Sequence, residues 1–306
     1  MRNNIKIKYA VFSALVLSFL LFLFFLLGSY INFVTDQPLL TRLVIFYLLS
    51  LVTAFLITWG FSIFTRTFSD TMMTIGRLLG IESLSNPLLL RMSEEASGTY
   101  HHSLNVSAIA GKATAAIGGN ALLVRTAAYY HDLGKLSNPK VFIENQSEEE
   151  IPGDINEMSI KKMAEDIISH VGSGVKIAKD NDLPDEVVDL ISEHHGTMRV
   201  TYFYEMAKLN KLKVKKTDFR YKGPKPQSKE SIVLMLADCV EAAARAEDRL
   251  TKETVREIVN NTVNERINEK QILPSIMNES ELKKVKLSLI NSLISIYHRR
   301  INYKNS

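Results

Sequence analysis

The chain has 306 residues, enough for about two domains, and its formal net charge of +4 is modest. That charge does not by itself imply a nucleic-acid partner, so we expect the chain to bind neither DNA nor RNA. The single cysteine, Cys239, excludes an internal disulfide framework and agrees with a reducing compartment.

Two apolar runs without a charged residue lie near the N-terminus, at Tyr9–Thr35 and at Leu43–Thr65. Each is long enough to cross a bilayer, since a span needs about 20 apolar residues. The first run is too long for the apolar core of a signal peptide, which has about 7–15 residues, and no clear cleavage site follows it. A buried helical pair in a soluble protein fits these lengths less well. We therefore predict a two-helix transmembrane hairpin over residues 1–66, with the lipid bilayer as a partner.

The distribution of basic residues predicts the orientation of this hairpin. Three basic residues precede the first run, and Arg66 and Arg77 follow the second. The connection Ile31–Arg42 has one acid, Asp36, and one base at its edge. The positive-inside rule therefore places both termini in the cytoplasm of a two-span protein of the cell membrane.

Residues 67–85 form a junction in which Phe68, Met72, Ile75 and Leu79 recur at helical spacing. Three alternatives stay open for this linker helix. It lies along the membrane surface, it pairs with a second copy of the chain in a homodimer, or it is a plain linker.

Residues 86–306 are predicted to form one all-α domain, because no alternating run is long enough for a strand. Pro184, followed by two acids, is typical of a helix start, and Gly196 of a helix end. The polar stretch Gln146–Asn156 is predicted to be a surface loop. Helical apolar spacing is visible around 100–117, 120–133, 158–179, 184–195, 230–247, 251–268 and 279–299.

Seven residues with metal-ligating side chains occur in this domain, each inside or at the end of a helical segment. A single histidine on an apolar helix face is more often a hydrogen-bonded core residue. Five such histidines would each need a buried partner, which makes that interpretation strained. Seven ligands are too many for one tetrahedral zinc ion but suit two adjacent metals of the kind that hydrolyse phosphate esters. The series is His102, His131, Asp132, His170, His194, His195 and Asp238.

The tandem pair His131-Asp132 suggests how two metals would share a ligand. The two oxygens of a carboxylate such as Asp132 can bridge two metals while the neighbouring imidazole binds one of them. Gly134 would permit a close approach of the backbone at the helix end. Lys135 either supplies a positive charge to a bound phosphate or is a solvated lysine at a helix end.

The order H…HD…H…HH…D, together with its surroundings, resembles the HD superfamily of metal-dependent phosphohydrolases. Within it, the chain is most similar to the membrane-attached cyclic di-AMP phosphodiesterases of the PgpH type. The resemblance extends from about Asn86 to the C-terminus. The stretches that show it are residues 98–104, 127–135, 142–146, 168–171, 193–197, 218–227 and 235–238.

This resemblance implies an HD-domain helical bundle that hydrolyses cyclic di-AMP to linear pApA with Asp132 and Lys135 as catalytic residues. It implies that Asp132 bridges two divalent metal ions, and the ligand types favour Mn²⁺ or Fe²⁺ over zinc. The other implied ligands are His102, His131 and Asp238 for one metal and His170, His194 and His195 for the other.

The segment 218–227 implies substrate contacts from Arg220 and Lys225, and stacking of Tyr221 on an adenine. Lipid headgroups or solvent are alternatives for the lysines and arginines around it. Members of this type usually have seven transmembrane helices and a large extracytoplasmic domain, whereas we predict two spans, so the regulation stays open.

Two other functions are alternatives: an HD phosphohydrolase for another nucleotide, and a catalytically weak membrane-tethered nucleotide sensor. The Gly-Tyr-Pro signature of the cyclic di-GMP hydrolases is absent, because His195 is followed by Gly196-Thr197-Met198. The complete ligand series argues against the sensor.

Overall fold

The computed structural model describes residues 38–146 and 157–297, and the regular structure in these ranges is helical, with one isolated β-bridge between Arg199 and Arg220. The predicted all-α class is confirmed. The α-helices are α1 (Leu39–Glu82), α2 (Pro87–Glu95), α3 (Ser97–Ala116), α4 (Ala121–Tyr130), α5 (Glu157–Asp180), α6 (Asp185–Glu193), α7 (Thr201–Leu209), α8 (Lys229–Ala246), α9 (Lys252–Asn268) and α10 (Glu279–Ile296). Short 3₁₀ helices lie at Leu133–Ser137, Pro139–Val141, Ile143–Asn145 and Lys216–Phe219.

The chain divides into two compact units, Met1–Ile75 and Gly76–Ser306. In the first unit, large apolar side chains of α1 such as Phe55, Trp59 and Phe61 are more than half exposed. Among the described residues, one helix is long and apolar enough to cross a membrane by length and composition. The first predicted span, within Tyr9–Thr35, lies outside the described residues. The predicted linker is helical and continuous with α1 as far as Glu82.

The second unit is organised around α8. Six consecutive residues of this helix, 232–237, are fully buried, so neighbouring helices must cover it on several sides. Helices α3, α4, α6, α9 and α10 all pack against it. A helix that is apolar all round is expected at the centre of a domain rather than at its surface. Asp238 follows directly after this apolar run.

Two of the predicted helix boundaries concern the ligand series. Helix α6 begins after Pro184 and ends at Glu193, and Gly196 has a φ of +51°, as the start and stop signals predict. The helix predicted at 120–133 ends earlier, at Tyr130. His131 and Asp132 therefore lie just beyond α4, where the chain turns into the 3₁₀ helix at Leu133–Ser137.

Gly134 brings this 3₁₀ helix against α5. A Cβ atom at Gly134 would lie 1.8 Å from the carbonyl oxygen of His170 and 2.4 Å from the backbone nitrogen of Gly174. Only glycine allows two backbones to approach this closely. The close approach that the sequence predicts for Gly134 is confirmed, and it sets the turn containing Asp132 against the helix containing His170.

Candidate metal centre

The structure brings all seven predicted ligands together, although they come from three helices and from the turns after α4 and α6. Three groups have ligand atoms within 4.8 Å of one another and could each hold a metal ion. Asp132 belongs to two of these groups, and Asp238 belongs to the third. The groups are His102, His131 and Asp132; Asp132, His170, His194 and His195; and His131, His194 and Asp238.

The two oxygens of Asp132 face different histidines. Oδ1 lies 3.3 Å from Nε2 of His170 and 3.9 Å from Nε2 of His194. Oδ2 lies 3.2 Å from Nε2 of His131 and 3.6 Å from Nε2 of His102. The carboxylate therefore stands between two pairs of imidazoles, with one oxygen directed at each pair.

Asp238 closes the same cluster from α8. Its Oδ1 lies 3.0 Å from Nε2 of His102 and 3.7 Å from Nε2 of His131, and its Oδ2 lies 3.5 Å from Nδ1 of His195. It is 6% exposed. Its two oxygens thus also face different parts of the cluster.

Three of the histidines are oriented by their own backbone. Nδ1 of His131, His170 and His194 donates to the carbonyl oxygen three residues earlier, at 2.8, 2.5 and 2.7 Å. A donating Nδ1 leaves Nε2 as the atom with the free lone pair. In each case Nε2 is the atom that faces Asp132, so the metal-binding tautomer is already set.

The electrostatics of the cluster also suit a bound cation. Burial alone raises the pKa of Asp132, but the charges of His131 and Lys135 outweigh it and hold the pKa well below the usual range. Burial lowers the pKa of His194 to about 3, and the charges of His131 and His170 add to this. Burial alone lowers the pKa of His131, but the charges and hydrogen bonds of Asp132 and Asp238 together raise it to about 10. Asp132 and His194 are thus an ionised carboxylate and a neutral imidazole, the protonation states that metal ligation requires, whereas a cation would have to displace the proton of His131.

Two buried nitrogen atoms of the cluster make no hydrogen bond. They are Nε2 of His131 and Nδ1 of His195. Buried polar atoms are almost always paired, so an orphaned ring nitrogen beside two carboxylates needs an explanation. A divalent cation supplies the missing partner for these nitrogen lone pairs and balances the carboxylate charge, so the residues fit a metal centre.

Lys135 lies at the edge of the cluster rather than in solvent. Its Nζ is 2.8 Å from Oδ2 of Asp132 and 2.6 Å from Oε1 of Glu144, and it lies 4.9 Å from the centroid of the Phe142 ring. Burial alone lowers the pKa of Lys135, but the two carboxylates raise it above its usual value. The ammonium group is therefore permanently charged beside Asp132. Glu144 was not predicted as its partner.

Tyr221 is the predicted substrate residue that lies against the cluster. Its ring stacks on the His195 imidazole, with centroids 4.3 Å apart and an interplanar angle of 29°. The Phe142 ring meets His170 edge-on at 5.8 Å. Two aromatic rings thus form an apolar wall next to the imidazoles.

Arg220 and Lys225 make their contacts elsewhere. Successive side chains of extended backbone point to opposite sides, and Arg220 directly precedes Tyr221. Its Nη1 donates to the carbonyl oxygen of Thr197 at 2.7 Å, and Nζ of Lys225 donates to the carbonyl oxygen of Lys270 at 3.0 Å. Of the three predicted substrate residues, Tyr221 is therefore the one whose ring lies against a histidine of the ligand series. The hydrogen bonds of Arg220 and Lys225 are to other parts of the chain.

Glu241 is a buried member of the site that the sequence analysis missed. It is 0% exposed and hydrogen-bonds to Nδ1 of His102. Its position three residues after Asp238 on α8 places both carboxylates on one side of the helix. That spacing was a usable signal. His101, in contrast, is exposed.

Comparisons with known proteins agree with this geometry. Residues 99–243 match the HD domain family. The chain is 36% identical over 232 residues to the cyclic-di-AMP phosphodiesterase PgpH of Listeria monocytogenes, a match that covers 76% of this chain and 32% of the relative. It is 37% identical over 227 residues to the cyclic-di-AMP phosphodiesterase PgpH of Bacillus subtilis, covering 74% of this chain and 32% of the relative. The chain thus spans about a third of the length of these relatives.

The fold is also similar to that of a solved structure. The crystal structure of the L. monocytogenes PgpH HD domain in complex with cyclic-di-AMP superimposes with a TM-score of 0.64 at 38% identity. The match covers 71% of this chain and 100% of that domain.

Proposed function

Since this chain belongs to the HD-domain family and resembles its PgpH members, we propose that it is a metal-dependent phosphodiesterase that hydrolyses cyclic di-AMP to linear pApA. The observation that supports this most directly is the position of Asp132, with one oxygen facing His131 and His102 and the other facing His170 and His194. A carboxylate between two sets of imidazole nitrogens suits two adjacent divalent ions.

We assign the ligands to two metal positions, with Asp132 shared between them. Six imidazole and carboxylate groups besides Asp132 favour Mn²⁺ or Fe²⁺ over tetrahedral zinc, which takes four ligands. Divalent ions, when bound, polarise the phosphoryl oxygens and lower the pKa of water. The first position takes His102, His131 and Asp238, and the second takes His170, His194 and His195.

The protein's own residues position the substrate and balance its charge. Hydrolysis adds water across one P–O3′ bond of the cyclic dinucleotide, so the product has one free 5′-phosphate and one free 3′-hydroxyl. The Lys135 ammonium group, fixed beside Asp132, offsets negative charge on a phosphoryl oxygen next to the cluster. The Tyr221 ring offers a flat apolar face on which an adenine can stack. Arg220 and Lys225 make other contacts in this structure, so they serve as substrate residues only if these contacts exchange on binding.

We also propose how the chain is anchored. Residues 1–66 form a transmembrane hairpin, residues 67–85 a linker helix, and residues 86–306 the catalytic domain in the cytoplasm. The two uncharged runs and the basic residues that flank them support this topology. A cytoplasmic catalytic domain is where a nucleotide substrate would be available.

The test is a hydrolysis panel on the full-length protein in detergent micelles. The protein is loaded with Mn²⁺ or Fe²⁺ and given cyclic di-AMP, cyclic di-GMP or a deoxynucleoside triphosphate, and the products are separated by chromatography. We expect pApA from cyclic di-AMP, and no turnover after EDTA treatment. His102→Ala should be inactive, while its matched control His101→Ala, which changes the exposed neighbour, should keep full activity.

Each alternative has its own outcome. Faster hydrolysis of cyclic di-GMP or of a deoxynucleoside triphosphate would contradict the substrate but leave the phosphohydrolase class. Binding of cyclic di-AMP by the fully metallated protein without any turnover would instead indicate a nucleotide sensor.

A further inference from the structure

His102 is oriented differently from the other buried histidines of the cluster. His131, His170 and His194 each donate Nδ1 to a carbonyl group of their own segment. Nδ1 of His102 instead bonds to Oε2 of Glu241, which lies on another helix, α8. The direction of Nε2 in His102 therefore depends on the packing of α3 against α8 and not on the local helix alone.

Glu241 is completely buried, and both of its oxygens are used. Oε1 accepts from Nδ2 of Asn105 at 3.1 Å and from the hydroxyl of Tyr297 at 2.8 Å, while Oε2 accepts from His102. Burial alone raises the pKa of Glu241, but its hydrogen bonds from His102 and Asn105 and the charges of His102 and Arg245 together lower it. A buried ionised carboxylate is costly unless its oxygens are bonded in this way.

Tyr297 extends this chain of hydrogen bonds to the end of the domain. It is the C-terminal capping residue of α10, and its hydroxyl reaches Glu241 across the interior. The helix α10 packs against both α3 and α8, so it covers the two helices that contribute His102 and Glu241. The ring nitrogen of a predicted ligand is thus connected to the last described helix through two hydrogen bonds.

We infer that Glu241 is a positioning residue that aims His102 at the first metal position and increases its basicity, and that Tyr297 makes this position depend on α10. The inference rests on the proposed two-metal function. It predicts an asymmetry, since among the described residues Glu241 bonds to an imidazole of the first position, whereas the Nδ1 atoms of His170 and His194 in the second bond to backbone carbonyl groups. Outer-shell partners of this kind typically contribute 10–100-fold to metal affinity.

The test is a metal titration of the full-length protein in detergent, in which a fluorescent chelator competes for Mn²⁺ and each binding step is resolved. Glu241→Gln keeps the shape but removes the charge, and we expect it to weaken one of two binding steps about 10–100-fold. Tyr297→Phe removes only the hydroxyl and should weaken the same step by a smaller factor. The matched control is Glu193→Gln, which changes a buried glutamate whose hydrogen bond is to the backbone nitrogen of Gln227 and not to a ligand side chain.

A purely structural role would give a different pattern. It would lower the melting temperature and weaken both binding steps together, or neither. Unchanged Mn²⁺ affinities in Glu241→Gln and Tyr297→Phe would overturn the inference. If the wild-type protein still bound two ions, the proposed function would stand. A wild-type protein that binds no metal would instead contradict the proposed function itself. If Glu241→Gln does not fold, Tyr297→Phe decides the question, because it retains the ring that packs in the interior.

Discussion

Replacing Gly134 with alanine should damage the proposed metal centre although no ligand is replaced. The new Cβ would lie 1.8 Å from the His170 carbonyl oxygen, whereas real Cβ contacts are essentially never under 3.0 Å. The backbone on one side must therefore move by at least about 1.2 Å. All three nearest atoms belong to backbone, so no side-chain rotation can relieve the clash.

The expected loss follows from this displacement. Overpacking of this kind costs about 1–3 kcal/mol of folding free energy. The same movement separates Asp132 from His170, and a misplacement of about 1 Å in an active site can lower the rate about 100-fold. We therefore expect Gly134→Ala to remain folded but to lose about two orders of magnitude in cyclic di-AMP hydrolysis, together with Mn²⁺ affinity.

The matched control is Gly172→Ala on the same helix, α5, where a Cβ atom meets nothing within 4 Å. Alanine there should leave activity unchanged and stabilise the helix by about 0.5–1 kcal/mol. The assays are thermal unfolding, metal titration and turnover of the full-length protein in detergent. Wild-type turnover and stability in Gly134→Ala would refute the argument that the backbones of the turn and of α5 must touch.

Three further predictions concern the ligands, the substrate and the membrane. Asp132→Ala should lose both metals, because its two oxygens face two sets of imidazoles. His170→Ala should weaken the binding of mainly one metal. A content of about two metals per chain in purified Asp132→Ala would disprove the bridging role. Tyr221→Ala should raise the KM for cyclic di-AMP about tenfold or more, because a base–aromatic stack contributes about 1–3 kcal/mol. Tyr221→Phe, which keeps the ring, should leave the KM unchanged. Equal KM values for the two variants would exclude stacking. A reporter fused after Ser306 should be active in the cytoplasm and one inserted beside Asp36 outside it, and the reverse result would invert the hairpin.

The seven predicted ligands lie together in the structure, and their positions were visible in the sequence because each is marked by its local surroundings. A histidine or aspartate on an apolar stripe, as at His102 or Asp238, is visible from periodicity alone. Separately, local backbone preference predicted the close approach at Gly134. It also predicted the helix boundaries around Pro184 and Gly196 to within a few residues, since these depend on local backbone preferences.

The partners of these residues were harder to predict, because they lie on other elements of the fold. Lys135 meets Glu144 only because the 3₁₀ helices after α4 fold back, and the hydrogen bond between His102 and Glu241 joins residues 139 positions apart. Periodicity describes one element at a time and contains no information on which elements meet. The direction of a side chain is equally hard to predict. Arg220 and Tyr221 are adjacent in sequence, but their side chains point to opposite sides because their backbone is extended.

The way the histidines are oriented bears on how the centre is assembled. His131, His170 and His194 acquire their metal-binding tautomer as soon as their own turn forms, because the acceptor is a carbonyl three residues earlier. His102 acquires it only when α3, α8 and α10 have packed, because its acceptor is Glu241 and Glu241 is itself fixed by Tyr297. A metal that binds only the folded chain also stabilises the packing that holds its ligands in position. Of the two proposed positions, the one that includes His102 should therefore couple metal binding to the packing of the whole domain, and the other mainly to α5 and α6.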